Sequence, residues 1–181
     1  MESHQTSAVF DEHLRDPRFF VRPLVTSDRA GLAALFARLS AESRRQRFLA
    51  PKVGLSEREL TYFTEVDHIK HEALAAVDAW DGSILGVARY VQWPDRPGVG
   101  EVAIEVADDL QRSGIGLVLA QALVRRAHEN GLAVLTATTL WENRPARALA
   151  HRVGFLARAS LGTEIELELY LPTGPEAPRW S

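Results

Sequence analysis

The sequence predicts one mixed α/β domain built on a central, largely antiparallel sheet, and three observations carry that prediction. A length of 181 residues suits a single domain with a substantial core and is too short for two comfortable ones. Apolar residues recur at helical spacing up to Phe63, and from residue 72 the period changes to that of strands. The resulting order is a strand, helices, three strands, a helix, a strand, a helix and two strands, with a strong hairpin signal, Asp81-Gly82, between the second and third strands.

Met1 to Asp16 reads as a polar tail with a short helix around Phe10 to Leu14, which starts the domain at residue 17. Phe19 to Leu24 is the first strand, and Pro23 suits its end or a sheet edge. Thr26-Ser27-Asp28 offers capping oxygens before a helix over Ala30 to Leu39, where Leu32, Leu35, Phe36 and Leu39 share a face. Ser40 to Ser43 interrupts the pattern, and Arg44 to Leu49 forms another short helix. Ser56 with Glu59 resembles a capping box for a helix through Phe63.

Ala73 to Trp80 and Ile84 to Trp93 are strands, and Pro94 to Gly98 is a loop. In Val99 to Val106 the side chains alternate: Val102, Ile104 and Val106 point one way, and Glu101, Ala103 and Glu105 the other. A helix over Gly114 to Asn130 carries an apolar stripe of Ile115, Leu119, Ala122 and Leu123, and Gly131 ends it. Ala133 to Thr139 is a strand and Asn143 to Arg152 a helix. Phe155 to Ser160 and Thr163 to Tyr170 are a final strand pair around Gly162. The domain is expected over residues 17–171, followed by a tail over 172–181 with three prolines.

Composition narrows the function classes. Apolar residues make up 46% and charged residues 25%, and the formal charge is −3, which lacks the basic excess of a nucleic-acid-coating protein. Zero cysteines exclude disulfides, thiolate metal sites and a cysteinyl-enzyme intermediate. No apolar stretch is long enough to cross a bilayer, and the N-terminus lacks an apolar signal core, so a cytoplasmic, membrane-free protein is expected. His68 and His71 have no third ligand at a convincing spacing, so no metal site is expected.

The chemistry concentrates at Gln111-Arg112-Ser113-Gly114-Ile115-Gly116-Leu117, between a strand and a helix. Glycines let backbone N–H groups approach a ligand, and a helix N-terminus favours an anion such as a pyrophosphate. Taken alone, the glycine pair also fits a plain turn. A dinucleotide fingerprint would carry a third glycine and an acid about 20 residues on, and a P-loop would need Gly-Lys-Ser/Thr. Neither is present, since Leu117 follows Gly116.

This run resembles the Gln/Arg-x-x-Gly-x-Gly/Ala pyrophosphate loop of the GNAT superfamily of acyl-CoA N-acyltransferases. Asn143-Arg144-Pro145-Ala146, Leu149 and Gly154-Phe155 resemble that family's next signature, in the same order. The resemblance covers roughly residues 18 to 171 and implies a GNAT-type sheet flanked by helices, with acetyl-CoA as co-substrate. A narrower resemblance, to the bacterial Pat-type protein lysine acetyltransferases, rests on four segments. These are Leu39 to Phe48, Val66-Asp67, Gly86-Val87-Ala88-Arg89-Tyr90, and Glu101-Val102-Ala103. It implies a protein partner with an accessible lysine, such as an acyl-CoA synthetase.

By that resemblance Glu101 is the catalytic base, with Glu105 its competitor; a bulge of the kind the family generally has in this strand would change which side chains share a face. The backbone at Ile104 and Val106 is expected to pair with the pantetheine arm. Asn143 is either a cofactor contact or a helix N-cap. Ala150 stands in the slot where many GNAT enzymes carry a tyrosine acid. Arg112 occupies a position where many relatives have glycine, which implies a phosphate contact or a less open turn. Arg44, Arg45 and Arg47 read as a solvated face, with an acidic patch on a protein substrate as the alternative. His68 is weighed as a neighbour of the acceptor groove, and Trp80, Trp93 and Trp141 as core or rim aromatics. Rival readings are a small-amine or antibiotic acetyltransferase and a catalytically silent acyl-CoA sensor.

Overall fold

The computed structural model describes residues 18–174, with the side chain of Leu161 excepted. The N-terminal tail with its expected helix around Phe10 to Leu14, and most of the C-terminal tail, lie outside the described residues. Seven strands form one sheet in the order β1-β2-β3-β4-β5-β7-β6. They are β1 (Phe19–Pro23), β2 (His71–Asp78), β3 (Ile84–Gln92), β4 (Val99–Val106), β5 (Val134–Leu140), β6 (Leu156–Leu161) and β7 (Glu164–Tyr170). Every neighbouring pair is antiparallel except β4 with β5. The helices are α1 (Arg29–Ala37), α2 (Ala41–Phe48), α3 (Glu57–Thr64), α4 (Ile115–Glu129) and α5 (Arg144–Arg152). This is the mixed, mostly antiparallel sheet flanked by helices that the sequence predicts.

Two apolar layers sandwich the first four strands. Leu119, Ala122, Leu123 and Ala127 of α4 pack on Leu74, Ala88 and Tyr90. Leu32 and Leu35 of α1 and Leu60 of α3 pack on Ala73, Ala75 and Val87 from the other side. β2 and β3 are therefore buried on both faces, and their interiors are apolar except for the buried Glu72 and Arg89.

The sequence misjudged several boundaries for local reasons. Ser40 does lie in the break between α1 and α2, but its hydroxyl caps α2 by accepting the Ser43 N–H at 3.1 Å, so that helix begins at Ala41 rather than Arg44. Ser56 and Glu59 do form the reciprocal capping box. Trp80 leaves the strand because Asp78 Oδ1 accepts the N–H groups of Trp80 and Asp81, closing a longer hairpin turn.

The feature that positions the site is a split in the sheet. β4 and β5 pair only from Val99↔Val134 to Glu101↔Thr136. Beyond that the strands part, while β4 stays paired to β3 as far as Gly86↔Val106.

Candidate active site

A cleft of about 1010 Å³ opens where β4 and β5 diverge. Its walls include Glu101 to Val106 of β4, Ala137 to Thr139 of β5, the start of α4, and Asn143 to Ala146 at the start of α5. Gln46 and Arg47 of α2 and Tyr62 and Phe63 of α3 close it from the other side.

At one end of the cleft, α4 begins on Gly114, whose φ of +95° lies in the left-handed region. Leu117 and Val118 both donate to the Gly114 carbonyl, at 3.0 and 3.2 Å. The backbone N–H groups from Arg112 through Gly116 donate to none of the described residues. Successive free N–H groups at a helix N-terminus make a concave anion cradle. Two side chains of the loop are spent on the loop itself. Ser113 Oγ donates to the Leu110 carbonyl at 2.5 Å, and Gln111 Nε2 donates to Asp108 Oδ1 at 3.0 Å, so both brace the turn. Arg112 is exposed and has a φ of +63°, which explains why glycine suits this position.

Ile104 and Val106 point toward α4, and their strand edge facing β5 is unpaired. Leu117 packs against the same core. Asn143 is 9% exposed, caps α5 by accepting the Ala146 N–H at 3.1 Å, and also lines the cleft. Its amide nitrogen bonds none of the described residues, so the capping and contact readings are compatible. Ala150 lines the cleft in the tyrosine slot.

On the wall that carries Glu101, β3 and β4 keep an unbroken register, so the family-type bulge is absent from their pairing. Glu101, Ala103 and Glu105 therefore share the face of Arg89 and Val91. The two glutamates differ in their partners. Glu105 is 10% exposed at its side chain and pairs with the 14%-exposed Arg47. Glu101 is exposed, lines the cleft, and forms no hydrogen bond or ion pair with the described residues.

The basic face of α2 is not a free solvated surface. Arg45 bridges Glu42 and Glu142, Arg44 lies 4.6 Å over Phe36 and donates to the Val53 carbonyl, and Arg47 is committed to Glu105. His68 lies away from the cleft lining: its Nδ1 is 2.6 Å from Oε1 of the fully buried Glu72, which Arg126 also pairs. His71 faces Tyr62 at 5.0 Å between ring centres, and burial beside Arg89 lowers its pKa to about 4, so it is neutral at pH 7. Among the described residues no cluster of three metal-ligating side chains occurs. Trp80 is 96% exposed and Trp141 54%, so neither belongs to the core.

Arg89 falls within the Gly86-to-Tyr90 resemblance, and the sequence assigns it no role. It is 3% exposed, lines the cleft and carries two nitrogens with no partner. The signal was available: a charged residue at a core-facing position among Gly86, Val87, Ala88, Tyr90 and Val91.

The model of the Acetyltransferase (GNAT) family matches residues 36–155. An acetyltransferase of Pseudomonas aeruginosa is 31% identical over 81% of this chain and 80% of its own length. Acetyltransferase Pat of Mycolicibacterium smegmatis is 29% identical over 82% of this chain, which spans 46% of that protein. The L-methionine sulfoximine/L-methionine sulfone acetyltransferase of P. aeruginosa is 35% identical over 57% of this chain and 60% of its own. Among solved structures, the GNAT domain of S. lividans PAT superposes with a TM-score of 0.79 at 24% identity, covering 90% of this chain and 99% of that one. yncA from Salmonella typhimurium, solved with its cofactor acetyl-CoA, gives 0.71 at 18% identity over 90% and 98%. The chain belongs to the GNAT acetyltransferase family, and it is an acyltransferase that takes acetyl-CoA as its co-substrate.

Proposed function

We propose that this protein transfers acetyl from acetyl-CoA to a primary amine, a protein lysine, by direct attack in a ternary complex. The observation that carries the reading is Glu101, an unpartnered carboxylate on the cleft wall at the end of the β4–β5 pairing. An ammonium must lose a proton before its nitrogen can attack. Glu101 takes that proton, directly or through one water. The amine nitrogen then bonds the acetyl carbonyl carbon as the carbon–sulfur bond breaks, and coenzyme A departs as a thiolate that water protonates. No tyrosine is needed at Ala150 for that departure.

In this reading the N–H cradle from Arg112 through Gly116, flanked by Gln111 and Leu117, takes the pyrophosphate. The unpaired backbone at Ile104 and Val106 takes the pantetheine amides, and Asn143 Nδ2 adds a contact. Residues 17–171 form the catalytic domain. The lysine assignment is supported by likeness to Pat over 82% of this chain. No helix among the described residues is long and apolar enough to cross a membrane. A second reading, a small amine that carries its own carboxylate, is favoured by the unpartnered edge of Arg89.

Cell-lysate proteins incubated with enzyme and acetyl-CoA are expected to gain acetyl-lysine by mass spectrometry; acetylation of small amines alone would refute the lysine acceptor. Because the chain has no cysteine, a thiol reagent reads released coenzyme A without background. Glu101→Gln is expected to keep acetyl-CoA affinity and lower kcat by about 10²–10⁴-fold. Unchanged turnover would remove Glu101 from the mechanism, and tight acetyl-CoA binding without turnover on any amine would favour a sensor.

A further inference from the structure

We propose that Arg89 anchors a carboxylate subsite in the acceptor half of the cleft, taking through its Nε–Nη2 edge a carboxylate that the acceptor carries near its reacting amine. The proposal rests on the acetyl-transfer reading and specifies which amines it admits.

Arg89 sits on β3 opposite Ala103, so on the shared sheet face it lies between Glu101 and Glu105. Its Nη1 donates to the Phe63 carbonyl at 3.1 Å, and its guanidinium stacks 4.5 Å from the Phe63 ring. These contacts fix the plane of the group. Nε and Nη2, the other edge, have no hydrogen-bond partner and are buried. A guanidinium offers parallel N–H bonds along such an edge, the pattern a carboxylate fills with both oxygens. Buried donors are rarely left unmade, because an unmade bond forfeits the full desolvation energy of the group.

Neither neighbouring glutamate fills the edge. Glu105 is bound to Arg47, and Glu101 makes no bond to Arg89. Arg47 takes Glu105, Glu101 stands on the same face without bonding Arg89, and His71 beside them is neutral. Burial holds the Arg89 pKa down to about 10, so the group is still a cation at pH 7 and lacks a counterion in hydrogen-bond contact. Tyr62, half exposed, and the rim of Glu101 complete this part of the cleft. An acceptor that brings a carboxylate to Arg89 would direct its amine along β4 toward Glu101.

The carboxylate has two sources, the α-carboxylate of a free amino acid or an acidic side chain beside a protein lysine, and paired acceptors separate them. The first pair is L-methionine sulfone and the same amine without its carboxylate. The second is a capped Asp-Lys peptide and its Asn-Lys counterpart. Binding is read by calorimetry on the protein saturated with coenzyme A, and turnover by thiol release. In one pair the carboxylate member is expected to bind at least about tenfold tighter. Arg89→Lys, which keeps the charge and loses the fork, should reduce that preference below about threefold with acetyl-CoA affinity unchanged. Arg89→Met, which removes an unpaired buried charge, should keep the fold and abolish the preference, and it decides the matter where the lysine variant does not fold. The pair that responds names the source. Equal or absent binding of both members in both pairs, or a preference that survives the substitutions, would overturn the subsite. Binding preference without turnover would count against acetyl transfer and leave the subsite standing.

Discussion

Glu101 and Glu105 lie on one face of one strand, yet a cation reaches only Glu105. Arg47, 58 residues earlier, is delivered to Glu105 by α2 and closes a pair that is nearly sealed from solvent. Breaking such a pair from one side strands a charge. Glu105→Gln would leave Arg47 and Arg89 facing each other without an anion, and is expected to destabilise the fold by about 3 kcal/mol. Urea unfolding measures this; a change within ~0.5 kcal/mol would mean the pair is solvated after all. The alternation along β4 was legible in the sequence, because period two survives where the register is unbroken. What was not legible was which glutamate stays free. That depends on a long-range contact from α2, and local pattern carries no information about it. Arg89 illustrates the same limit: its place in the chain marks a buried charge, but only the packing of Phe63 shows which edge is left open.

At the scale of an element, the start of α4 separates two glycines that look alike in sequence. Gly114 needs its left-handed φ of +95°, and any side chain there is strained although no atom lies within 4 Å of a built Cβ. Gly116 is helical, and a Cβ there would meet Leu149 at 3.5 Å and Val106 at 3.8 Å, ordinary contact distances. The Gly/Ala alternation at this second position of the family motif follows from that space. Gly114→Ala should cost about 1–2 kcal/mol and tilt the N–H cradle, weakening acetyl-CoA about tenfold. Gly116→Ala should leave affinity within about threefold and raise stability by up to ~1 kcal/mol through helix propensity. Calorimetry with acetyl-CoA and a thermal melt read both variants, and equal effects would show that the turn does not depend on the αL residue. The loop's position between strand and helix was readable from its residues. The bracing roles of Gln111 and Ser113 were not, since their partners Asp108 and Leu110 lie in a short 3₁₀ turn that hydrophobic period does not announce.

Across the whole molecule, the sheet is joined at the centre by a short parallel seam, Val99 to Glu101 on β4 with Val134 to Thr136 on β5. Elsewhere, strands β1 to β4 with α4 face β5 to β7 with α5 across the cleft. α2 spans the gap, with Arg47 on Glu105 of β4 and Arg45 on Glu142 between β5 and α5. A co-substrate seated in this cleft touches both halves and binds the folded state alone, so it stabilises the fold by mass action. At a hundredfold excess over Kd the gain is about 2.7 kcal/mol, and for a domain of this size that raises Tm by roughly 5–11 °C. If the proposed donor site is right, coenzyme A should produce most of that shift, through its pyrophosphate on the cradle and its pantetheine on the unpaired edge of β4. Adenosine alone should produce little. A melt in which both ligands shift Tm equally would place the binding energy outside the split, and the opening between β4 and β5 would then not be the donor site.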